Sequence, residues 1–521
     1  MLSPEKADSA SQADAFAPAA RCYAARRLPP ATMRPILPLL LAAAVLTLSA
    51  CRPAPTQADA LEPCRLPGIE REIRCGSVSM PEDPDAPAGA RIDVRFAVVP
   101  AVARNARPDP VFVFAGGPGQ AASQVIGMMM PVLAELNARR DIVFVDQRGT
   151  GRSNRLDCPD DETSLAARLD PAQQLEALKR CLRALRSDLR QYATWIAVRD
   201  YDAVRERLGA DRINLWGGSY GTRAALEYLR QFPQNVRTVV LDGPAPPDMV
   251  LPLAFAIDAD AALTALSAAC RVDAHCSARY PDFDVRVEAL IRRARTGFDI
   301  TVADPLTGRP QALHVDSRLI ASLLRVPLYL PSLAAVLPYA LAASGDGDYG
   351  PLVTLSAAVS SRLQEHLALG MHFAVVCAED MPLIARSNAA AAASTRFGGT
   401  FVELYAEACA EVPTRPVPAE FFQVEVTDVP VLILSGGLDP ATPPRHGAAL
   451  AQRLGGRARH VVSPYLGHGV SAQACAPRLI SQFVRSADAA SLDTTCLERL
   501  PAPAFFEPVE SAPPSQPAVS K

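Results

Sequence analysis

Ile213-Asn214-Leu215-Trp216-Gly217-Gly218-Ser219-Tyr220-Gly221-Thr222-Arg223-Ala224-Ala225-Leu226-Glu227-Tyr228-Leu229-Arg230 is the stretch on which the reading of this chain turns. An apolar run of strand length, Ile213 to Trp216, meets a G-x-S-x-G pentapeptide and passes into a helix-forming segment. That order is the layout of a nucleophile elbow. A strand that turns so sharply into a helix leaves no room for a Cβ two residues either side of the serine, which is why glycine is needed there. Ser219 is then expected in a strained turn at a helix N-terminus, its hydroxyl exposed and the backbone N–H of Tyr220 beside it. A Gly/Ser turn alone proves little in a chain with 29 glycines. Its surroundings decide.

Upstream, residues 92–99 alternate apolar and polar as a half-exposed strand does. Val111-Phe112-Val113-Phe114 is continuously apolar, the mark of a strand buried on both faces of a parallel sheet. It runs straight into Ala115-Gly116-Gly117-Pro118-Gly119, where glycines let backbone N–H groups approach a ligand. A second buried strand, residues 142–145, leads into Asp146-Gln147-Arg148-Gly149; Asp146 and Arg148 read as a structural pair holding that loop. Downstream, residues 236–241 form another strand ended by Asp242-Gly243-Pro244. This alternation of strands and helices is the signature of an α/β fold. From about Pro247 to Glu425 the pattern is Ala/Leu-rich and helical, with few buried-strand runs. Strand character returns at residues 429–434, before Ser435-Gly436-Gly437-Leu438-Asp439-Pro440, and at 458–462, before Pro464-Tyr465-Leu466-Gly467-His468-Gly469. The expected organisation is a first core part (63–246), a mostly helical cap (247–425), a second core part (426–499) and a disordered tail (500–521) rich in Pro, Ser and Ala.

A serine hydroxyl is a poor nucleophile at neutral pH and needs a base within hydrogen-bond reach, held in turn by a third group. In hydrolases built on an elbow these follow in the order Ser, acid, His, each just past the end of a strand. Ser219, Asp439 and His468 satisfy both conditions. Asp242 also follows a strand and is the alternative acid. His446 follows the acid loop too closely and His460 lies within a strand; His275, His314, His366 and His372 fall in the helical region and read as non-catalytic. Backbone N–H groups of Tyr220 and Gly117 are the expected oxyanion donors. Such chemistry needs no cofactor and no metal.

The set Gly116-Gly117-Pro118-Gly119, Asp146-Gln147-Arg148-Gly149 and Gly217-Gly218-Ser219-Tyr220-Gly221 resembles the prolyl iminopeptidase and tripeptidyl aminopeptidase family of α/β-hydrolases, over most of the chain from Cys64 to Cys496. Many relatives carry His before the two glycines where this chain has Ala115; because the donors are backbone groups, the oxyanion hole is expected to persist. The resemblance implies an α/β-hydrolase core with a mostly parallel sheet and an inserted helical cap. It also implies a serine exopeptidase acting on peptides near their free N-termini, with a carboxylic-ester hydrolase as the alternative, since one triad serves both. A catalytically idle binding module is a third reading, opposed by the complete triad. Cys377-Ala378-Glu379-Asp380 resembles the C-x-E-D segment of these relatives. Glu379 and Asp380 there receive the substrate ammonium, or else cap the next helix or pair with a nearby arginine.

Composition bounds the rest. With 49% hydrophobic and 21% charged residues the chain is an ordinary globular protein, and a formal net charge of -3 gives no polybasic surface for nucleic acid. Met33-Arg34 precedes an apolar run, residues 36–50, too short to span a bilayer comfortably, and Met33 reads as the true initiator. The run ends in Leu48-Ser49-Ala50-Cys51, which resembles the lipobox of bacterial lipoproteins, an ordinary signal peptide being the alternative. On that reading residues 1–50 are leader, Cys51 carries lipid and residues 51–62 are a tether. The protein is then held at the cell envelope, and with Arg52 after the cysteine, at the periplasmic face of the outer membrane in a Gram-negative cell. The remaining cysteines, Cys64, Cys75, Cys158, Cys181, Cys270, Cys276, Cys377, Cys409, Cys475 and Cys496, are even in number and fall as close neighbours. That suits loop-closing disulfides in an oxidising compartment, although sequence alone does not fix their connectivity. No C-x-x-C or clustered Cys/His set favours zinc.

Overall fold

The computed structural model describes residues 61–158, 169–305, 307–364, 367–386 and 389–508. The leader, Cys51 and all but the end of the tether lie outside these residues, as does His366. The strands are β1 (Glu62–Cys64), β2 (Ile73–Pro81), β3 (Arg91–Val99), β4 (Val111–Phe114), β5 (Ile142–Val145), β6 (Ile213–Gly218), β7 (Val236–Asp242), β8 (Phe298–Ala303), β9 (Pro310–Val315), β10 (Val431–Gly436) and β11 (Ala458–Ser463). Nine of them make one sheet in the order β1-β2-β3-β5-β4-β6-β7-β10-β11. Pairing is antiparallel from β1 through β3 to β5 and parallel from β5 onward.

The difference in pattern follows from what covers the strands. Every residue of β4, β5 and β10 is buried, whereas β3 begins with strict exposed–buried alternation. On one face Val111, Val113, Phe144 and Leu432 belong to a core shared with the helices Ala122–Asn137 and Ala476–Ser486. On the other, Phe112, Phe114, Val143 and Leu241 share a core with Thr194–Arg207 and Tyr220–Gln231. Since β6, β7, β10 and β11 run parallel, the loops after them emerge at one edge of the sheet.

Between β7 and β10 lies an insertion with its own core, in which Leu263, Leu266, Val287, Leu323, Leu337 and Leu352 are buried. Its first helix, Leu251–Val272, is long and apolar enough to cross a membrane, yet it buries Ala256, Ala259, Leu263 and Leu266 within the protein. The helical reading of this region misses one feature: β8 and β9 pair antiparallel. These strands alternate rather than run apolar, burying Ile300, Val302, Leu313 and Val315 on one face only, so a search for continuous apolar runs passes over them.

The expected tail is also corrected at its start. The Phe506 N–H donates to the Ala335 carbonyl at 3.1 Å and its ring lies 5.1 Å from that of Tyr339, so the two phenylalanines at 505–506 supply apolar surface that a wholly disordered tail would lack. Residues 509–521 lie outside the described residues. The ten cysteines pair as neighbours: Cys64–Cys75, Cys158–Cys181, Cys270–Cys276, Cys377–Cys409 and Cys475–Cys496.

Candidate active site

Ser219 stands between β6 and the helix Tyr220–Gln231 with φ 55° and ψ -125°, a conformation that a residue with a side chain rarely adopts. Its surroundings impose it. A Cβ on Gly221 would lie 2.0 Å from the Phe114 carbonyl oxygen, and one on Gly217 would lie 2.5 Å from the Gly221 carbonyl oxygen. The helix therefore presses onto the ends of β4 and β6 as only glycine permits. The Ser219 N–H donates to the Asp242 carbonyl at 2.8 Å, and its own carbonyl accepts from the Thr222 N–H at 2.9 Å and the Thr222 hydroxyl at 2.6 Å.

The loop after β10 buries Asp439 completely. Its carboxylate accepts from the N–H groups of Ala441 (2.8 Å) and Thr442 (2.9 Å) and from the Thr442 hydroxyl (2.8 Å). The remaining partner is His468, in the loop after β11, whose Nδ1 lies 2.8 Å from Asp439 Oδ2. A carboxylate in that position accepts, so the proton is assigned to Nδ1 and Nε2 is left as the basic nitrogen. Burial pushes the His468 pKa down, but the charge and hydrogen bond of Asp439, with Asp242 behind, outweigh it and hold it above its ordinary value. Burial likewise raises Asp439, and His468 with the two amides brings it below the usual carboxylate value.

Asp242, the alternative acid, does not orient the imidazole. Its carboxylate accepts the N–H groups of Val470 and Ser471, each at 2.8 Å, just past His468. Through its carbonyl and its carboxylate it ties the serine backbone to the histidine loop.

The loop after β4 runs beside the serine: a Cβ on Gly116 would lie 3.3 Å from Ser219 Cβ, and Gly117 has φ 108°. Tyr220 is the first residue of its helix, where an N–H has no intrahelical acceptor. His372, which nothing in its apolar helical run marks out, braces this loop. Its Nδ1 donates to the Pro118 carbonyl at 3.0 Å and its Nε2 accepts from the Tyr405 hydroxyl at 2.7 Å. The Ala368 N–H adds a bond to the Gly119 carbonyl at 2.9 Å. His446 and His460 take no part; they bond Asp258 and Ser435.

Glu379 and Asp380 are where the expectation of an ammonium site is corrected. Both are fully buried and close around Arg223 of the elbow helix, with Nη1 at 3.2 Å from Glu379 and 3.0 Å from Asp380, and Nη2 at 3.1 Å from Asp380. Glu379 also accepts the Thr194 N–H at 2.6 Å and Asp380 the Leu251 N–H at 3.0 Å. The open alternative, pairing with a nearby arginine, is what the fold adopts. Two buried carboxylates share one buried guanidinium; burial first, and the Asp380 charge, push the Glu379 pKa up to about 7 against the pull of Arg223. Asp146 and Arg148 do not pair with one another: Asp146 accepts from Ser123 and Arg152, while Arg148 forks onto Asp200 with both bonds at 2.7 Å.

These features define an α/β-hydrolase by fold, with an elbow serine, an Asp–His pair and a glycine loop at one sheet edge. Residues 109–263 match the family model described as alpha/beta hydrolase fold, and residues 393–496 match the one described as TAP-like protein. The second match contains both Asp439 and His468. Among curated proteins the chain is 28% identical over 207 residues to Serine protease Hip1 of Mycobacterium tuberculosis, covering 36% of this chain and 39% of that protein. It is 30% identical over 194 residues to Tripeptidyl aminopeptidase of Streptomyces coelicolor (33% and 35%), and 29% identical over 277 residues to Carboxylesterase B of Mycobacterium tuberculosis (48% and 53%). Of the curated relatives it matches, the chain thus spans about a third to a half of the length.

Proposed function

We propose that the protein is a serine exopeptidase that hydrolyses peptide bonds near the free N-terminus of peptides through an acyl-enzyme. The observation that carries this is the 2.8 Å bond between His468 and Asp439, both inside the segment that matches the TAP-like model, in a fold whose elbow carries Ser219. His468 Nε2 takes the Ser219 proton as the oxygen attacks the carbonyl, and Asp439 stabilises the imidazolium. The backbone N–H groups of Tyr220 and Gly117 receive the oxyanion, at about 2.7–4 kcal/mol per donor by analogy with other such holes. His468 then protonates the leaving amine, and water releases the acyl group.

A carboxylic-ester hydrolase is the second reading, favoured by the similarity to a protein named Carboxylesterase B. Purified protein assayed on aminoacyl-, prolyl- and tripeptidyl-amides beside short-chain esters separates the two, with Ser219→Ala as the blank. Turnover of esters with no amide cleaved removes the peptidase reading. The cell-envelope placement rests on the apolar run that ends in Leu48-Ser49-Ala50-Cys51, with Arg52 after it and the neighbouring cysteines suited to an oxidising compartment. Mass spectrometry of the mature protein is expected to find an N-terminal Cys51 bearing lipid; a soluble form beginning elsewhere within residues 50–60 refutes it.

A further inference from the structure

Among the described residues, the buried arginines come with their own acids. Arg148 has Asp200 at 2.7 Å, Arg223 has Asp380 at 3.0 Å and Arg140 has Asp109 at 3.0 Å. Arg325, the last residue of the helix Ser317–Arg325, is half-buried and differs. Its guanidinium carbon lies 4.4 Å from the ring centroid of Phe255, 5.0 Å from that of Tyr329 and 5.9 Å from that of Phe401. Nη2 donates to the Tyr329 hydroxyl at 2.6 Å, while Nε is buried with no hydrogen-bond partner. Among the described residues no carboxylate comes within ion-pair distance of it.

The acids around this cradle are already engaged. Asp439 and Asp258 both act on Tyr329 alongside Arg325, and Asp380 acts on Tyr405 alongside it. Yet Asp439 holds His468, Asp258 holds Arg445 and His446, and Asp380 holds Arg223. The cradle also adjoins the catalytic base. The Tyr329 ring stands edge-on to the His468 ring at 5.3 Å, the Tyr329 carbonyl accepts the His468 N–H at 3.1 Å, and the Arg325 charge reaches the imidazole.

A desolvated guanidinium donor without an acceptor is costly, and aromatic faces offset the charge but leave the N–H unmet. We propose that Arg325 anchors a substrate subsite for a carboxylate, supplied by a peptide C-terminus or by an acidic side chain close to the scissile bond. This rests on the serine-hydrolase reading of the same site, and it shifts charge recognition from the ammonium that Glu379 and Asp380 were expected to hold to an anion.

Binding separates this subsite from the catalytic reading, because it needs no turnover. Calorimetry on Ser219→Ala protein compares a tripeptide acid, its C-terminal amide, and an amide with one acidic side chain. The acid, the acidic-side-chain amide or both are expected to bind about tenfold or more tightly than the neutral amide, as one charge-assisted hydrogen bond allows; which of them does so names the source of the carboxylate. Arg325→Gln removes that selectivity and Arg325→Lys restores part of it. In the otherwise wild-type enzyme, the kcat/KM ratio of a hemisuccinate ester to a neutral butyrate ester is expected to fall about tenfold in Arg325→Gln. Equal binding of all three peptides by the parent protein, or a selectivity that survives in Arg325→Gln, overturns the proposal. If peptides bind selectively yet are not cleaved, the peptidase reading fails and the subsite stands.

Discussion

At the scale of single residues, the site depends on which proton sits where. In the proposed mechanism His468 acts as a base only when neutral, and its pKa is held above the ordinary histidine value, about 6.5, by Asp439. The acid limb of kcat/KM is therefore expected to lie above that value and to move down in Asp439→Asn, which removes the charge. The same variant offers an amide that favours the wrong tautomer, and a fall of about 10⁴-fold in kcat is expected from comparable triads. A pH–rate profile of both proteins tests this; an acid limb that stays in place puts another group in charge of it. The proposed triad is legible in the amino-acid sequence because each member follows an apolar strand, and strand ends meet at one sheet edge. His372 is not. A lone histidine in Leu369–Glu379 shows its role only once Pro118 and Tyr405 are brought to it by chain segments 254 and 33 residues away.

Among the elements, the elbow helix and the helix Leu369–Glu379 are joined by the buried group of Arg223, Glu379 and Asp380. The sequence displays two acids and, far upstream, an arginine four residues after the serine, but not that the helix turns that arginine inward onto them. The consequence is a dependence of stability on pH. The folded-state pKa of Glu379, about 7, stands above its unfolded value of 4.5, so between these the folded protein binds a proton that the unfolded chain has released. Stability from this group is thus fully present below pH 4.5 and is lost as pH rises through 7. Thermal transitions recorded across that range for wild type and Glu379→Gln are expected to diverge, the wild type falling with pH and the variant flatter. Parallel curves would show that Glu379 does not titrate there. Removing the cation instead, in Arg223→Leu, leaves two buried carboxylates with backbone donors but no counter-charge and is expected to cost about 3–5 kcal/mol in chemical denaturation.

Over the whole molecule, the core is readable from the sequence and the insertion less so. Continuous apolar runs give β4, β5 and β10 directly, but β8 and β9 bury one face only, and the aromatic pair at 505–506 is hidden in a Pro/Ala-rich end. The insertion touches the site in several places: Tyr329 packs on His468, His372 bonds Pro118, and Asp258 holds Arg445 and His446 at the start of the helix after the acid loop. Cys377–Cys409 links two of its helices next to Glu379 and Tyr405. Cys377→Ser with Cys409→Ser is expected to cost about 2–4 kcal/mol and to loosen the brace on the proposed oxyanion loop, lowering kcat more than it raises KM. A kcat that holds while stability drops confines the bond to a structural role. The five bonds also share a property that concerns synthesis rather than the finished fold. Each joins one cysteine to the next in the chain, across separations of 6 to 32 residues. On the proposed export into an oxidising compartment, the polypeptide emerges from its N-terminus and every pair is complete before the first member of the following pair appears. An oxidase that joins cysteines in order of arrival makes the native set directly, and cells lacking a disulfide isomerase should yield as much active protein as cells that have one.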